Sequence, residues 1–352
     1  MSLPKHEPSP PQPNETCVRF ARIALSLPLL VLLSGCNVVL LHPSGDVAVQ
    51  QRDLILASTG LMLLIIIPVM AATVLFAWRY RESNKDAPYE PDWHHSTGLE
   101  VAIWSAPLAI IVALGALTWI STHVLDPYRP VARLGPQKAV PANAKTLEVD
   151  VVALNWKWLF IYPSLGVATV NELAVPLNTP LAFKITSSTM MNSFFIPAVA
   201  GQIYAMPGMQ TQLHAVVNKP GQFVGFSANY SGSGFSDMNF KVFGLNDAGF
   251  ARWLQSVKTG GGALTRPVYT TLAEPSEAEP VRRYATVDPT LFGAVVNQCV
   301  QPGQLCDSQM MRMAAKSGGQ PQASSNSPIA PILSPRMVVP PSSTAAPPQK
   351  GD

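Results

Sequence analysis

Charge is what this chain has least of. Of its 352 residues only 13% are Asp, Glu, Lys or Arg, against 47% hydrophobic. Average soluble domains carry about 25% charged residues, so part of the chain belongs in lipid. The formal net charge of +3 is too weak to suggest a nucleic-acid-binding surface. Histidine is scarce too, with six in all, and cysteine is absent from Asn37 to Gln298, where the main folded domain must lie. That stretch offers no thiolate to a metal. The four cysteines fall instead near the two ends. Cys299 and Cys306, in Cys-Val-Gln-Pro-Gly-Gln-Leu-Cys, are spaced for a small disulfide in an oxidising compartment or for two unpaired thiols. No His or further Cys follows them, which argues against a metal site.

What is present begins with an export signal. Arg19 and Arg22 precede the apolar run Ile23 to Leu33, and Leu33-Ser34-Gly35-Cys36 follows. A basic start, a short apolar core and small residues before the cleavage point make a secretory signal. The core is about 11 residues, too short for a bilayer that needs about 20. Leu-Ser-Gly-Cys resembles the bacterial lipobox. The resemblance implies that residues 1–35 are a signal peptide with an N-terminal extension, that Cys17 is removed, and that Cys36 is acylated and opens a lipidated outer segment, 36–53. A plain signal peptide that happens to precede a cysteine is the alternative.

Two long apolar runs come next. Leu54 to Trp78 is almost wholly apolar, with Ser58 and Thr59 as polar interruptions near its start and Pro68 placed to kink it, and Val101 to Val124 carries Trp104 and Trp119 nearer its ends. At 1.5 Å per residue the first reaches roughly 37 Å, enough to cross a membrane with some tilt. Together they predict a transmembrane hairpin over 54–128. Arg79, Arg81 and Lys85 lie in the loop between them, whereas Asn37 to Asp53 holds only Arg52, so the loop faces the cytoplasm. The N-terminal segment and everything after Tyr128 then face outward. Thr97-Gly98-Leu99-Glu100 has capping-box spacing, which would turn Glu100 back onto the first turn of the second span.

From Thr146 the period changes. Leu147-Glu148-Val149-Asp150-Val151 alternates as a half-buried strand does. Further strands are predicted at Lys157–Tyr162, Leu181–Thr186, Thr211–Val217, Phe223–Asn229 and Phe240–Phe243, separated by turn residues such as Lys219-Pro220-Gly221. Many short strands at this spacing argue for a β-sandwich or Greek-key barrel over 129–258. Asp247 to Val257, with Phe250, Trp253 and Leu254 on one face, reads as a closing helix. Short helices are expected over 259–313, one of them at Pro289 to Val300. The chain holds 34 prolines, and residues 314–352, rich in Pro, Ser, Ala and Gln, read as a disordered tail.

The order Asn155-Trp156-Lys157-Trp158, then Asn171-Glu172-Leu173-Ala174-Val175-Pro176-Leu177-Asn178-Thr179-Pro180, then Asn192-Ser193-Phe194-Phe195-Ile196-Pro197 resembles subunit II of the haem–copper oxidases. The second-span stretch Glu100-Val101-Ala102-Ile103-Trp104-Ser105-Ala106-Pro107 fits as well, and the match covers roughly Leu33 to Val257. The fold implied is a membrane-anchored α+β chain: a two-helix hairpin, an extramembrane cupredoxin-like β-sandwich, short C-terminal helices and a tail. In copper-bearing members two thiolates, two imidazoles and a thioether hold a dinuclear centre. Matched position by position, Asn192 stands where the first His would be. Ser227 and Ser231 replace the thiolates, Asn229 replaces a Glu, and Phe235 replaces the second His. Met238 alone is retained. The only histidine of the sandwich, His214, lies away from both motifs and reads as structural.

The pattern therefore resembles the quinol oxidase branch, whose second subunit has lost that centre. Ala228-Asn229-Tyr230-Ser231-Gly232 and Gln202-Ile203-Tyr204-Ala205-Met206 fit it, and Val287-Asp288-Pro289-Thr290-Leu291-Phe292 less selectively. The resemblance implies ubiquinol oxidation, four-electron reduction of oxygen and proton translocation. It places the haems, the active-site copper and the quinol site in subunit I, with no cofactor on this chain, and implies partnership with subunit I, further oxidase subunits and lipid in a bacterial inner membrane. Trp156, at the position that admits electrons from cytochrome c in copper-bearing relatives, then serves packing. Glu100 matches a glutamate near the cytoplasmic mouth of a proton-input path, and helix capping is the competing role. A membrane-anchored binding or assembly lipoprotein is the alternative reading, and a copper-containing cytochrome c oxidase subunit disagrees with the ligand set.

Overall fold

The computed structural model describes residues 38–88 and 90–316. Cys17, the expected lipidation site Cys36 and nearly all of the expected 314–352 tail lie outside the described residues. Two compact units divide the chain, Met1–Asp307 and Ser308–Asp352.

Helix α1 spans Asp46–Arg79 and helix α2 spans Thr97–Val124. Both are long and apolar enough to cross a membrane. Pro68 sits inside α1 and Pro107 inside α2, where each removes one backbone hydrogen bond. Helix α1 starts at Asp46 rather than Leu54. Its polar first turns, Asp46 to Asp53, precede the apolar run and are fastened to the outer domain. The amides of Ser44 and Gly45 donate to the carbonyl of Ala198 at 2.7 and 3.0 Å, and that of Asn218 donates to the carbonyl of Ser44 at 2.8 Å. The approach is close enough to require glycine, because a Cβ on Gly45 would lie 2.4 Å from the carbonyl oxygen of Val216.

The strands follow as β1 (Arg133–Gly135), β2 (Lys138–Ala139), β3 (Leu147–Leu154), β4 (Lys157–Tyr162), β5 (Val167–Val170), β6 (Glu172–Pro176), β7 (Leu181–Ser187), β8 (Asn192–Ile196), β9 (Ala200–Ala205), β10 (Thr211–Ala215), β11 (Gly221–Ser227) and β12 (Asn239–Leu245). After these come helix α3 (Asp247–Gly260), β13 (Gly262–Leu264), helix α4 (Arg266–Ala273), β14 (Arg282–Val287), helix α5 (Leu291–Val296) and helix α6 (Asp307–Lys316). A seven-stranded sheet has the order β10-β7-β3-β4-β5-β14-β13, and a five-stranded sheet has β6-β12-β11-β8-β9. Their facing sides enclose one core, in which Phe194 stacks on Phe240 at 5.4 Å and Trp158 meets both rings edge-on at 5.3 and 5.7 Å.

Three expectations need correction. Strand β3 is buried on both faces instead of one, and Asp150 is only 6% exposed. The reason lies in residues 259–313, which are not simply a set of helices: β13 and β14 extend the seven-stranded sheet. Tyr269, Leu272, Leu291 and Val295 then cover the outer face of that sheet, against Val152, Leu154, Leu159, Ile161 and Leu264. Helix α6 continues through 314–316, past the expected start of the tail. Helix α3 forms as the periodicity predicts, capped by the side chain of Asn246, which accepts from the amide of Gly249 at 2.8 Å.

Candidate functional site

The positions matched to copper ligands converge. Asn192 opens β8, Ser227 closes β11, and Ser231, Phe235 and Met238 lie on the connection from β11 to β12, which includes a 3₁₀ turn at Ser233–Asp237. Asn192, Ser227, Ser231 and Met238 are all buried. Two short backbone bonds bring the elements together: Ser227 donates its amide to the carbonyl of Met238 at 3.1 Å, and Ala228 donates its amide to that of Ser193 at 3.0 Å.

The side chains at these positions bond to one another and to nearby backbone carbonyls. The Ser227 hydroxyl meets Asn192 Oδ1 at 3.1 Å, Asn192 Nδ2 donates to the carbonyl of Met190 at 3.2 Å, and Asn229 Nδ2 donates to that of Met191 at 3.2 Å. The Ser231 hydroxyl lies 3.9 Å from the Met238 sulfur, and Phe235 packs on Tyr230 with centroids 5.6 Å apart. Neutral hydroxyls and amides that satisfy one another make a stable polar core. They are hard, uncharged donors, a poor match for copper, which favours thiolate and imidazole. A dinuclear copper centre does not fit these residues.

Trp156 closes the site from the β3–β4 turn. Its indole Nε1 donates to the carbonyl of Ser231 at 2.9 Å. The ring lies flat against Gly234, where a Cβ would come within 2.6 Å of ring carbons. Trp156 also holds φ at +62°, an uncommon conformation for a bulky side chain, so the turn is shaped to present this ring.

The neighbours of this turn hold the C-terminal layer. Lys157 is 2% exposed, and its Nζ donates to the carbonyl of Glu274 at 2.8 Å and to the Ser276 hydroxyl at 2.5 Å. Burial pushes the Lys157 ammonium below its usual pKa, partly countered by Glu279. Asn171 Nδ2 donates to the carbonyl of Glu279 at 2.8 Å. On the other side of the core Glu172 accepts from Trp253 Nε1 at 2.7 Å and from both Nε and Nη2 of Arg283 at 3.0 Å. The motif residues Lys157, Asn171 and Glu172 are thus fastenings between layers, as is Asn155, whose Nδ2 donates to the carbonyl of Ala273 at 3.2 Å.

Glu100 lies apart from this cluster, in the first turn of α2. The capping box does not form. The N-cap is Ser96, one residue earlier than the spacing suggested, and no side chain caps the helix. Glu100 Oε1 instead meets His95 Nδ1 at 2.8 Å, while His95 Nε2 meets the Thr97 hydroxyl at 3.1 Å. His95, which sequence reasoning passed over, lies just before the helix, where only its nearness to Glu100 could have marked it. His214 Nδ1 contacts the carbonyl of Pro127 at 3.1 Å, on the edge strand β10 of the seven-stranded sheet, whereas β8 and β11 belong to the other sheet. Cys299 and Cys306 are joined by a disulfide.

Residues 143–244 match the family described as cytochrome C oxidase subunit II, periplasmic domain, and residues 258–303 match the COX aromatic rich motif. The chain is 50% identical to the cytochrome bo(3) ubiquinol oxidase subunit 2 of Pseudomonas putida, over 80% of this chain and 87% of that protein. It is 47% identical to the same subunit of Pseudomonas aeruginosa, over 78% of this chain and 80% of that one. The chain belongs to the ubiquinol oxidase subunit 2 family. A further member, the ubiquinol oxidase subunit 2 of Acetobacter aceti, is 47% identical over 80% of this chain and 89% of its own length. The residues matched to the aromatic rich motif coincide with the layer formed by β13, α4, β14 and α5, the layer that buries the second face of β3.

Proposed function

We propose that the chain is the second subunit of a proton-translocating complex that oxidises ubiquinol and reduces oxygen, and that it works without a copper centre of its own. Two ubiquinols supply the four electrons that, with four protons, convert one oxygen molecule to two waters, each ubiquinol releasing two protons as it becomes ubiquinone. The haems, the catalytic copper and the quinol site sit in subunit I and carry the electron transfer. This chain holds its hairpin against subunit I and caps the complex with the sandwich on the outer face of a bacterial inner membrane, its N-terminus anchored by acylated Cys36. The observation that carries this reading is the interlocked Asn192, Ser227, Ser231 and Met238 cluster, in which polar packing replaces the copper ligands. Quinol brings electrons from within the membrane, so no outward relay is needed. Purification through a tag on this chain in mild detergent tests it. A stoichiometric haem-bearing, multi-span partner with ubiquinol oxidase activity supports the reading, and isolation of the chain without haem overturns it.

Glu100 contributes to proton uptake. It stands on the cytoplasmic side at the start of α2, where the positive end of the helix favours a carboxylate, and His95 holds it at 2.8 Å. Both side chains are exposed, 48% for Glu100 and 61% for His95, so bulk water reaches the pair. Glu100→Ala slows turnover and leaves haem content unchanged. Normal turnover in that variant, or loss only through failed assembly, overturns the assignment.

A further inference from the structure

Methionine is concentrated at one place in this chain. Of its 12 methionines, three fall within four residues, Met310-Met311-Arg312-Met313, on helix α6. Their exposures are 37%, 62% and 56% for Met310, Met311 and Met313, and no residue of the helix is buried. At about 3.6 residues per turn, the three share one side of the helix with Ala314, while Arg312 and Lys316 take the other. The helix contains no Leu, Ile, Val or Phe. A face made only for apolar docking would use such residues as readily. This one is built from thioethers and alanine.

Competing soft donors are missing from this segment. Cys299 and Cys306, just before α6, are joined in a disulfide and so present no thiolate to a metal. No histidine follows His214. Thioether sulfur is soft and uncharged, a match for Cu(I), whereas Cu(II) and Zn(II) take imidazole, thiolate or carboxylate. The spacing brings the sulfurs together. Residues three apart on a helix, as Met310 and Met313 are, have Cβ atoms about 5–6 Å apart. Each sulfur hangs on a flexible stem, so the two can close on one ion from the same side. Met311 lies about 100° round the helix from Met310, and its stem brings a third sulfur from the flank.

We propose that Met310, Met311 and Met313 bind one Cu(I) ion on the surface of α6. The site shares no residue with the closed cluster of Asn192, Ser227, Ser231 and Met238. Its donors are neutral and leave the charge of the ion uncancelled, so it holds copper loosely. It exchanges the ion with its surroundings instead of keeping it, and takes no part in electron transfer.

The test uses the intact purified complex, washed with a copper chelator so that only resident copper remains. It is then dialysed, without oxygen and with ascorbate, against Cu(I) buffered by bicinchoninate, and the metal is counted by mass spectrometry against the washed sample. Expected is one added copper per complex and no uptake of Zn(II). The affinity should stay level between about pH 5.5 and 7.5, since a thioether, unlike imidazole or thiol, has no proton to lose. Met310→Leu with Met313→Leu keeps the apolar face and the helix but removes two sulfurs. Its affinity should fall at least tenfold while haem content and co-elution with the partner subunits persist. No added copper in the unaltered complex overturns the proposal. So does equal uptake by the double variant, which would put the ion on other groups, and so does an affinity that falls with pH as at an imidazole site.

Discussion

Gly234→Ala probes the packing that replaces a metal. The added Cβ falls 2.6 Å from the Cγ and Cδ2 atoms of Trp156 and 2.8 Å from Cε3. Those atoms belong to a rigid ring pinned by its hydrogen bond to the Ser231 carbonyl, so the strain cannot pass to a flexible tip. Overpacking of this kind costs about 1–3 kcal/mol. Trp156→Ala removes the ring, and with it a half-buried indole and one hydrogen bond, at a cost of roughly 2–3 kcal/mol. In the double variant the new methyl meets empty space. The two changes should therefore couple, the glycine substitution becoming nearly neutral once the ring is gone, with an interaction energy of about 1–3 kcal/mol. Hydrogen exchange in the intact complex reads this locally, at the amides of Ser227, Phe235 and Met238, which bond within the loop. Gly234→Ala alone should speed their exchange by about 5- to 150-fold through local opening, and in the Trp156→Ala background by less than about threefold. Ubiquinol turnover per haem should stay within about twofold in all three variants. Additive exchange effects refute the packing argument. A collapse of turnover in Trp156→Ala with haem content intact refutes the passive reading of this residue.

Other outcomes follow from the same geometry. Burial, reinforced by Glu148 and countered by Lys184, pushes the Asp150 carboxyl up to about 7 from an ordinary 3.8. The unfolded chain loses this proton first, so the stability the group lends is full below about pH 4, declines as pH rises and is gone above about pH 7. Asp150→Asn should thus match the parent near pH 4 and exceed it at pH 8 by about 1–2 kcal/mol, as thermal melts of the complex across pH would reveal. Glu172→Ala removes the partner of the half-exposed Arg283 and leaves the Trp253 indole N–H unpaired, and should cost about 1–3 kcal/mol, visible as protease sensitivity of α3; an unaltered digestion pattern would contradict it. Reducing the Cys299–Cys306 link should cost roughly 2–3 kcal/mol on loop-closure grounds, with faster exchange confined to the segment around α5. Exchange that spreads into β3 and β4 would show that the covering layer is less independent than its separate core implies.

Much of this was legible in the chain because it rests on short-range pattern. Apolar runs gave both membrane helices, and short strand-like runs bounded by turn residues gave β4 and β7 nearly to the residue. The ligand substitutions could be matched one by one, and the structure brings those residues into one cluster. What escaped depended on contacts distant in sequence. Strand β14 pairs with β5 across more than a hundred residues, and no local signal says that Arg282–Val287 joins a sheet. The burial of Asp150 and Lys157 follows from that layer, and so does the failure of the half-buried reading of β3. Helix α1 was begun late because Asp46 to Asp53 is too polar for a membrane span, though its attachment to the sandwich keeps it helical. The Glu100 cap failed on a one-residue difference in where α2 starts, which the spacing of polar residues could not resolve.

The central claim is that the outer module closes on itself with serine, asparagine and phenylalanine where copper would sit. Metal analysis of the purified complex, paired with electron paramagnetic resonance and near-infrared spectra of its oxidised form, tests it most directly. The account predicts copper equal to that of the subunit I centre alone and no mixed-valence pair signal. Two further copper ions per complex with such a signal, lost when Met238 and Asn192 are replaced, would contradict it.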